Sequence, residues 1–229
     1  MTESKLDELV SGVREAHPEV RFGFRTRFPE NHLSLAALAQ DVSTAEANLA
    51  LVERLCREAL GELVYGQDGV TFAQAVGEDL ARRGETIACA ESCTGGLLTQ
   101  MLTEVSGSSK WAVGAFVTYS NAMKESVLGV SGELLKQHGA VSEPVARAMA
   151  EGARQRSFAT WAAAITGVAG PDGGTPDKPV GTVWLALSGP QATSTRLAHF
   201  RGDRGQVRTQ SAYGALQLLR EALGHARPA

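Results

Sequence analysis

The sequence is short of several features that would assign it to a special class of protein. Its 229 residues contain only three cysteines, whose spacing fits neither a disulfide framework nor a zinc site. No uninterrupted apolar run approaches the roughly 20 residues that a membrane-spanning helix needs. A net charge of −3 gives no general attraction to nucleic acids or anionic membranes. We therefore expect no metal, no membrane partner and no direct nucleic-acid partner.

The N-terminus has neither the basic start nor the apolar stretch of a signal peptide, so we expect a cytoplasmic protein. A hydrophobic fraction of 43% and a charged fraction of 21% are those of an ordinary globular protein. The length suffices for one large domain or two modest ones.

Residues 1–65 have the pattern of a small α+β domain. Apolar residues first recur at helical spacing and then alternate with polar residues in two segments, 20–24 and 33–37, which predicts a helix followed by a hairpin. Ser43 and Glu46 fit a capping box that would begin a second helix. The predicted order of this domain is αββα.

Residues 66–229 read as a second domain of the α/β class. Helical segments separate the first three predicted strands, so these strands should be parallel and form a mixed, mainly parallel sheet with helices on both faces. A connection rich in Gly and Pro at 171–179 predicts that the fourth strand runs back antiparallel. The predicted strands are 86–91, 112–118, 160–166, 180–187 and 194–200.

The carboxyl ends of the parallel strands should gather polar residues from distant segments at one edge of the sheet. Ser92 ends the first strand, Tyr119 follows the second, and the glycine-containing segment Thr166–Gly170 ends the third. The last strand delivers Arg204 to the same edge, at the start of the final helix. A cleft at this edge is therefore the predicted binding site.

The segment Ala90–Gly96 reads Ala-Glu-Ser-Cys-Thr-Gly-Gly and contains three successive side chains that can act as nucleophiles. A hydroxyl on a turn between strand and helix can face a substrate while nearby backbone N–H groups stabilise an anion. The same segment also fits a plain connection, with Thr94 as N-cap and two glycines in a tight turn. Cys93 is an alternative nucleophile, and a Ser-His-Asp triad on His138 is another.

Lys124 is the candidate base for Ser92. It lies near the first turn of a helix that Ser120 would cap, where the helix dipole and partial burial both disfavour an ammonium ion. A neutral lysine can accept the proton of a serine hydroxyl, and Tyr119 could relay that proton or hold the lysine. Alternatively, Lys124 is an ordinary solvated helix lysine.

Arg204 and Arg208 are candidates for binding a phosphate group. Arg204 stands beside Gly202 at the start of the last helix, where a guanidinium and free N–H groups can hold an anion together. Arg208 follows one turn later. Arg204 could instead be a surface residue that balances Asp203.

With these segments in view, residues 70–222 resemble the CinA C-terminal domain family, the nicotinamide-nucleotide amidohydrolases. The resemblance implies hydrolysis of the carboxamide of nicotinamide mononucleotide to nicotinic acid mononucleotide and ammonia, by an arrangement that falls on Ser92, Tyr119 and Lys124. The matching segments are Ala90–Gly96, Gly107–Ser109, Phe116–Asn121 with Lys124, His138–Pro144, Thr166–Gly174, Lys178–Trp184 and Gly202–Arg204.

The resemblance also implies a small-molecule nucleotide substrate, a homo-oligomer and no metal or organic cofactor. Residues 1–65 look like the KH-like segment of longer CinA-type proteins, but without a Gly-x-x-Gly loop for RNA binding. The large molybdopterin-binding-like domain of those proteins is absent from the sequence, and its activity is not expected. The predicted substrate-binding residues are Thr94, Gly95, Gly96, Asn121, Thr166, Gly167, Gly170, Arg204 and Arg208, with amides at 94–96 stabilising an oxyanion.

Two other functions fit the same residues. One is a nucleotide-sensing or competence- and DNA-damage-associated protein that binds without turnover. The other is an amidase that acts on a different nucleotide-like amide.

Overall fold

The computed structural model describes residues 2–225. Contacts between Cα atoms divide the chain into two compact units, residues 2–65 and residues 66–225. Residue 1 and residues 226–229, which complete the two predicted domains, lie outside the described part. The helices are α1 (Glu3–Ala16), α2 (Val42–Leu60), α3 (Phe72–Arg83), α4 (Leu97–Thr103), α5 (Asn121–Leu128), α6 (Gly132–His138), α7 (Glu143–Ser157) and α8 (Arg204–Ala222). The strands are β1 (Val20–Arg27), β2 (Glu30–Ala37), β3 (Ile87–Glu91), β4 (Ala112–Val117), β5 (Trp161–Gly167), β6 (Thr182–Ser188) and β7 (Thr193–His199).

The first unit has the predicted αββα order. Strands β1 and β2 pair antiparallel from Val20 opposite Ala37 to Arg27 opposite Glu30, and their apolar side chains pack with those of α1 and α2. The predicted capping box that begins α2 is wrong. Asp41 caps the helix instead, since its carboxylate accepts hydrogen bonds from both the N–H and the hydroxyl of Thr44, at 2.9 and 2.8 Å.

The second unit is built on one five-stranded sheet with the strand order β4-β3-β5-β6-β7. Strand β3 is parallel to both β4 and β5, whereas β6 and β7 are antiparallel to their neighbours. The predicted mixed sheet is therefore confirmed. Its consequence for function is that β3, β4 and β5 all end at the same edge.

Small side chains let helix α7 pack closely on one face of the sheet. This face presents buried alanines from three strands, and a Cβ atom added to Gly152 of α7 would lie only 2.0 Å from the carbonyl oxygen of Leu128 in α5. The apolar area that this packing removes from water stabilises the fold by roughly 25 cal/mol per Å². The alanines are Ala88, Ala90, Ala162, Ala164 and Ala186.

Helix α8 covers the opposite face and packs with α3 and α4. Gly214 of α8 lies against the side chain of Leu185 in β6, where an added Cβ atom would come within 2.8 Å of Cδ1. Helices therefore lie on both faces of the sheet, as predicted. Among residues 2–225, no helix combines the length and the apolar character that crossing a bilayer requires.

Candidate active site

Ser92 is the first residue after β3, and the sheet itself fixes its position. Its backbone N–H donates to the carbonyl oxygen of Ile165 in β5 at 3.0 Å, which extends the parallel pairing by one residue. The residue is 8% exposed. The hydroxyl therefore sits at the carboxyl edge of the sheet, on a backbone that hydrogen-bonds to β5.

Lys124 approaches Ser92 from the first turn of α5. Ser120 caps this helix as predicted, accepting a hydrogen bond from Met123 N at 3.2 Å. The Lys124 side chain folds inward until the residue is only 1% exposed. Its Nζ atom lies 3.0 Å from Ser92 Oγ, although the two residues are 32 positions apart. The predicted juxtaposition of hydroxyl and amine is thus observed.

The other hydrogen-bond partners of the Lys124 amine are backbone carbonyl groups. Nζ lies 2.8 Å from the carbonyl oxygen of Thr118 and 3.1 Å from that of Tyr119. No carboxylate within residues 2–225 forms an ion pair with it. Burial lowers the pKa of Lys124 because an ammonium ion loses its hydration there, and the nearby Cys93 opposes this effect.

Glu91, the last residue of β3, is a fully buried carboxylate beside Ser92. It accepts hydrogen bonds from the N–H groups of Gly96, Leu98 and Thr99 at 3.0, 3.1 and 2.9 Å, and from the Thr99 hydroxyl at 2.6 Å. A carboxylate at this position satisfies free N–H groups at the start of α4 and interacts favourably with the helix dipole. Glu91 therefore fixes the turn that carries Ser92.

This arrangement corrects the predicted oxyanion site. The N–H of Gly96 already binds Glu91, and the N–H of Gly95 donates to the Ser92 carbonyl oxygen at 3.1 Å. In the part of the chain that the structure describes, the N–H groups of Cys93 and Thr94 donate to no other residue. The N–H groups left to face an anion are those that directly follow Ser92.

Tyr119 and Arg204 meet at the mouth of the site. Tyr119 is 63% exposed, and its hydroxyl lies 3.5 Å from Nη2 of Arg204. Arg204 Nη1 donates to the carbonyl oxygen of Gly170 at 2.6 Å. The carbonyl of Tyr119, and not its phenol, contacts Lys124, so the predicted proton relay through the phenol is not formed in this structure.

Arg208 has a different place from the one predicted. Its Nε and Nη2 atoms both donate to the carbonyl oxygen of Thr94, at 3.2 and 2.7 Å. The side chain therefore holds the turn after Ser92 from the α8 side. It does not line the cavity that contains Ser92 and Lys124.

That cavity has a volume of about 260 Å³. Among the predicted site residues, Asn121, which is exposed, and Thr94, Gly95, Gly96 and Arg208 lie outside its lining. The hydroxyl of Thr166 donates to the carbonyl oxygen of Ala140 at 2.8 Å. The lining residues are Ser92, Cys93, Tyr119, Lys124, Ala140, Val141, Thr166, Gly167, Val168, Ala169, Gly170, Asp172, Gly173 and Arg204.

The two alternative sets of catalytic residues fit the geometry poorly. Burial raises the pKa of the Cys93 thiol to about 11, so the reactive thiolate is scarce at neutral pH. His138 ends α6 on the surface, outside the cavity lining, and its carbonyl oxygen accepts a hydrogen bond from Lys178 Nζ at 2.9 Å. Within residues 2–225, no three His, Cys, Asp or Glu residues group to hold a metal ion.

Sequence reasoning assigned no role to Glu91 or Asp172, although both stand in segments that it singled out. The sequence does indicate a role for Glu91, because it is a charged residue at the end of an otherwise apolar strand. Buried carboxylates need hydrogen-bond partners, and the next helix start is the nearest source. Asp172 lies in a Gly- and Pro-rich connection, where no periodicity indicates which side chains face the cavity.

Comparisons with known proteins agree on one family. The model of the CinA C-terminal domain matches residues 70–223. The CinA-like protein of Anaeromyxobacter dehalogenans (strain 2CP-1 / ATCC BAA-258) is 48% identical over 223 residues, which cover 96% of this chain and 54% of that protein. The chain thus spans about half the length of the curated relatives that it matches.

Solved structures give the same result. A competence/damage inducible protein from Agrobacterium tumefaciens superposes with a TM-score of 0.65 and 40% identity, covering 70% of this chain and 98% of that one. A CinA superfamily protein from Klebsiella pneumoniae superposes with a TM-score of 0.66 and 36% identity, covering 70% and 100%. The chain belongs to the CinA C-terminal domain family.

Proposed function

We propose that this protein hydrolyses the carboxamide of nicotinamide mononucleotide, giving nicotinic acid mononucleotide and ammonia through an acyl-enzyme on Ser92. The observation that carries the proposal is the 3.0 Å contact between Ser92 Oγ and the buried Nζ of Lys124. A serine needs a neighbouring base to become a nucleophile, and a lysine with a lowered pKa can be that base. The substrate itself follows from the family resemblance.

The neighbours of Lys124 can also satisfy a neutral amine. The carbonyl oxygens of Thr118 and Tyr119 can only accept hydrogen bonds, so they take the two N–H groups of a neutral amine. The nitrogen lone pair is then left for the hydroxyl proton of Ser92. In the attack, Ser92 Oγ bonds to the amide carbon while its proton moves to Nζ.

The negative charge that develops on the amide oxygen needs donors beside the new bond. The N–H groups of Cys93 and Thr94 follow the nucleophile directly, and in strand-turn-helix hydrolases the N–H of the residue after the nucleophile is one such donor. One such donor is typically worth about 3–4 kcal/mol in the transition state. Arg208 and Glu91 hold the turn that carries these donors, from its two ends.

The intermediate collapses when ammonia leaves with the proton carried by Lys124. Water then attacks the ester, losing a proton to the same amine, and Ser92 regains its proton as the nucleotide product departs. Arg204, with the Thr166–Gly170 segment beside it, is the group that would hold the phosphate. Tyr119 at the mouth would contact the nucleotide as a binding residue.

The test is release of ammonia and nicotinic acid mononucleotide in equal amounts from nicotinamide mononucleotide. The variant S92A should lower kcat by about 10⁴ or more, as loss of a serine nucleophile does in other hydrolases. The matched control is S126A, since Ser126 is an exposed serine of α5 whose hydroxyl binds only its own helix. Turnover by S92A within tenfold of wild type would refute the mechanism.

A second candidate is a protein that binds the nucleotide without turning it over. The names of the solved relatives, which refer to competence and damage, favour a regulatory role of this kind. Calorimetry would then show binding of nicotinamide mononucleotide by the wild type, while ammonia release would stay at the level of S92A.

A further inference from the structure

The lining of the active-site cavity includes two exposed charged residues of opposite sign. Apart from Lys124, whose amine is buried beside Ser92, the charged residues in the lining are Asp172 and Arg204. They lie on the same rim, because Arg204 donates to the carbonyl oxygen of Gly170, two residues before Asp172. The apolar side chains in the lining are those of Ala140, Val141, Val168 and Ala169.

Both rim charges are free to meet a ligand. Asp172 is exposed, and no side chain or backbone N–H within residues 2–225 forms a hydrogen bond or an ion pair with its carboxylate. The guanidinium of Arg204 contacts a carbonyl oxygen and the Tyr119 hydroxyl, and neither partner neutralises it. The two residues therefore do not cancel each other.

Carboxylates already occupy the starts of two helices near the site. The carboxylate of Glu91 accepts hydrogen bonds from N–H groups at the start of α4. At the start of α8, the carboxylate of Asp203 accepts from Gln206 N at 2.8 Å and the Gln206 side chain accepts from Asp203 N at 2.9 Å. Arg204 is the exposed cation of the lining that can hold an anionic tail, and the carboxylate of Asp172 is left for a cation.

We propose that Asp172 makes the cavity selective for a zwitterionic ligand, whose ring is positively charged and whose tail is negatively charged. This inference rests on the proposed function and deepens it. Nicotinamide mononucleotide has such a ring, a pyridinium, whereas its 1,4-dihydro form has a neutral ring with the same amide, ribose and phosphate. Asp172 would distinguish the two forms by charge alone.

The size of the expected preference follows from Coulomb's law. Two opposite unit charges near a protein surface attract each other only moderately, because solvent exposure and salt screen them. We therefore expect a preference of about fivefold to tenfold for the cationic ring in low salt. The preference should shrink as the salt concentration rises.

The experiment measures binding by calorimetry, so that the different reactivity of the two amides does not enter. In the S92A background, Kd is measured for nicotinamide mononucleotide and for its 1,4-dihydro form. Adding Asp172→Asn should remove the preference by weakening only the cationic ligand. The matched control is Asp177→Asn, an exposed aspartate of the same loop outside the cavity lining, which should leave the preference intact.

Equal Kd values for the two ligands in the S92A protein would overturn the inference. Equal weakening of both by Asp172→Asn would also overturn it, because Asp172 would then contact a part that they share, such as the ribose. A different result would refute the proposed function alone. The S92A protein would then prefer the cationic ring, but the wild type would release no ammonia. If the protein bound neither nucleotide, both the proposed function and this inference would be refuted.

Discussion

Two cavities in the second unit differ in size and in the chemistry of their lining. One has a volume of about 770 Å³ and lies where β5 and β7 begin and β6 ends, beside residues such as Gln155 and Phe158. The other, at the opposite edge, has about 260 Å³ and contains Ser92 and Lys124. Only the smaller cavity combines a nucleophile with a buried amine whose pKa is lowered. A group in a cleft whose pKa burial and a neighbouring charge perturb marks a candidate functional site better than volume does.

Replacing the buried amine gives the largest effect among the following variants. Lys124→Met keeps an unbranched apolar stem of similar length and should lower kcat/KM for ammonia release by about 10³, because the general base is gone. The control Gln155→Ala, on the rim of the larger cavity, should leave it unchanged. A large loss in Gln155→Ala would mean that the wrong cavity has been chosen.

The same variant has a predictable effect on stability. The folded state lowers the pKa of Lys124, so the unfolded chain binds more protons between that value and the ordinary lysine pKa of about 10.4. The wild type should therefore gain stability as pH rises through this window, and Lys124→Met should lack that gain. Thermal melts of both proteins from pH 7 to 10 measure it, and parallel curves would contradict the lowered pKa.

A smaller effect on catalysis is expected from the carboxylate that holds the turn. Glu91→Gln replaces two oxygen acceptors with one and points an NH₂ group at N–H donors. It should lower the free energy of unfolding by about 2–3 kcal/mol. It should also lower kcat by about tenfold, because the donors beside Ser92 shift. Urea unfolding and steady-state kinetics measure the two losses, with Glu151→Gln at the larger cavity as an unaffected control. Unchanged kcat in the Glu91 variant would show that the turn holds its shape without this carboxylate.

The two arginines of α8 should affect different kinetic constants. Arg204→Gln removes the free cation at the mouth and should raise KM by about tenfold with little change in kcat. Arg208→Gln loosens the turn at Thr94 and should lower kcat a few-fold with KM nearly unchanged. If Arg208→Gln raised KM instead, Arg208 would bind the phosphate as the sequence first predicted.

Most of the fold could be predicted because local patterns set it. Alternating and helical apolar spacing located the helices and strands, and the turn-rich connection at 171–179 correctly indicated the change of strand direction. The failure at α2 is also local. Asp41 and Ser43 are both good N-cap residues, and a one-dimensional pattern does not decide between two caps that stand two positions apart.

The sequence predicted that Ser92 and Lys124 lie together at one edge of the sheet, but not the contacts of the residues around them. Parallel strands bring Ser92 and Lys124 to one edge whatever their side chains do, so topology was sufficient for that pair. The hydrogen-bond partners of Arg208, Gly96 and the Tyr119 phenol depend on how closely separate elements approach each other, where a small change in distance makes or breaks a contact. Such distances result from packing, and sequence spacing does not determine them.

Labelling with a fluorophosphonate tests directly whether the neutral amine of Lys124 activates Ser92, without any assumption about the substrate. The wild type should be phosphonylated at Ser92, as located by peptide mass spectrometry. The rate should rise with pH to a plateau at a pKa below the ordinary lysine value, and Lys124→Met should label at the background rate. Labelling of Cys93 in place of Ser92, or equally fast labelling of Lys124→Met, would contradict the account.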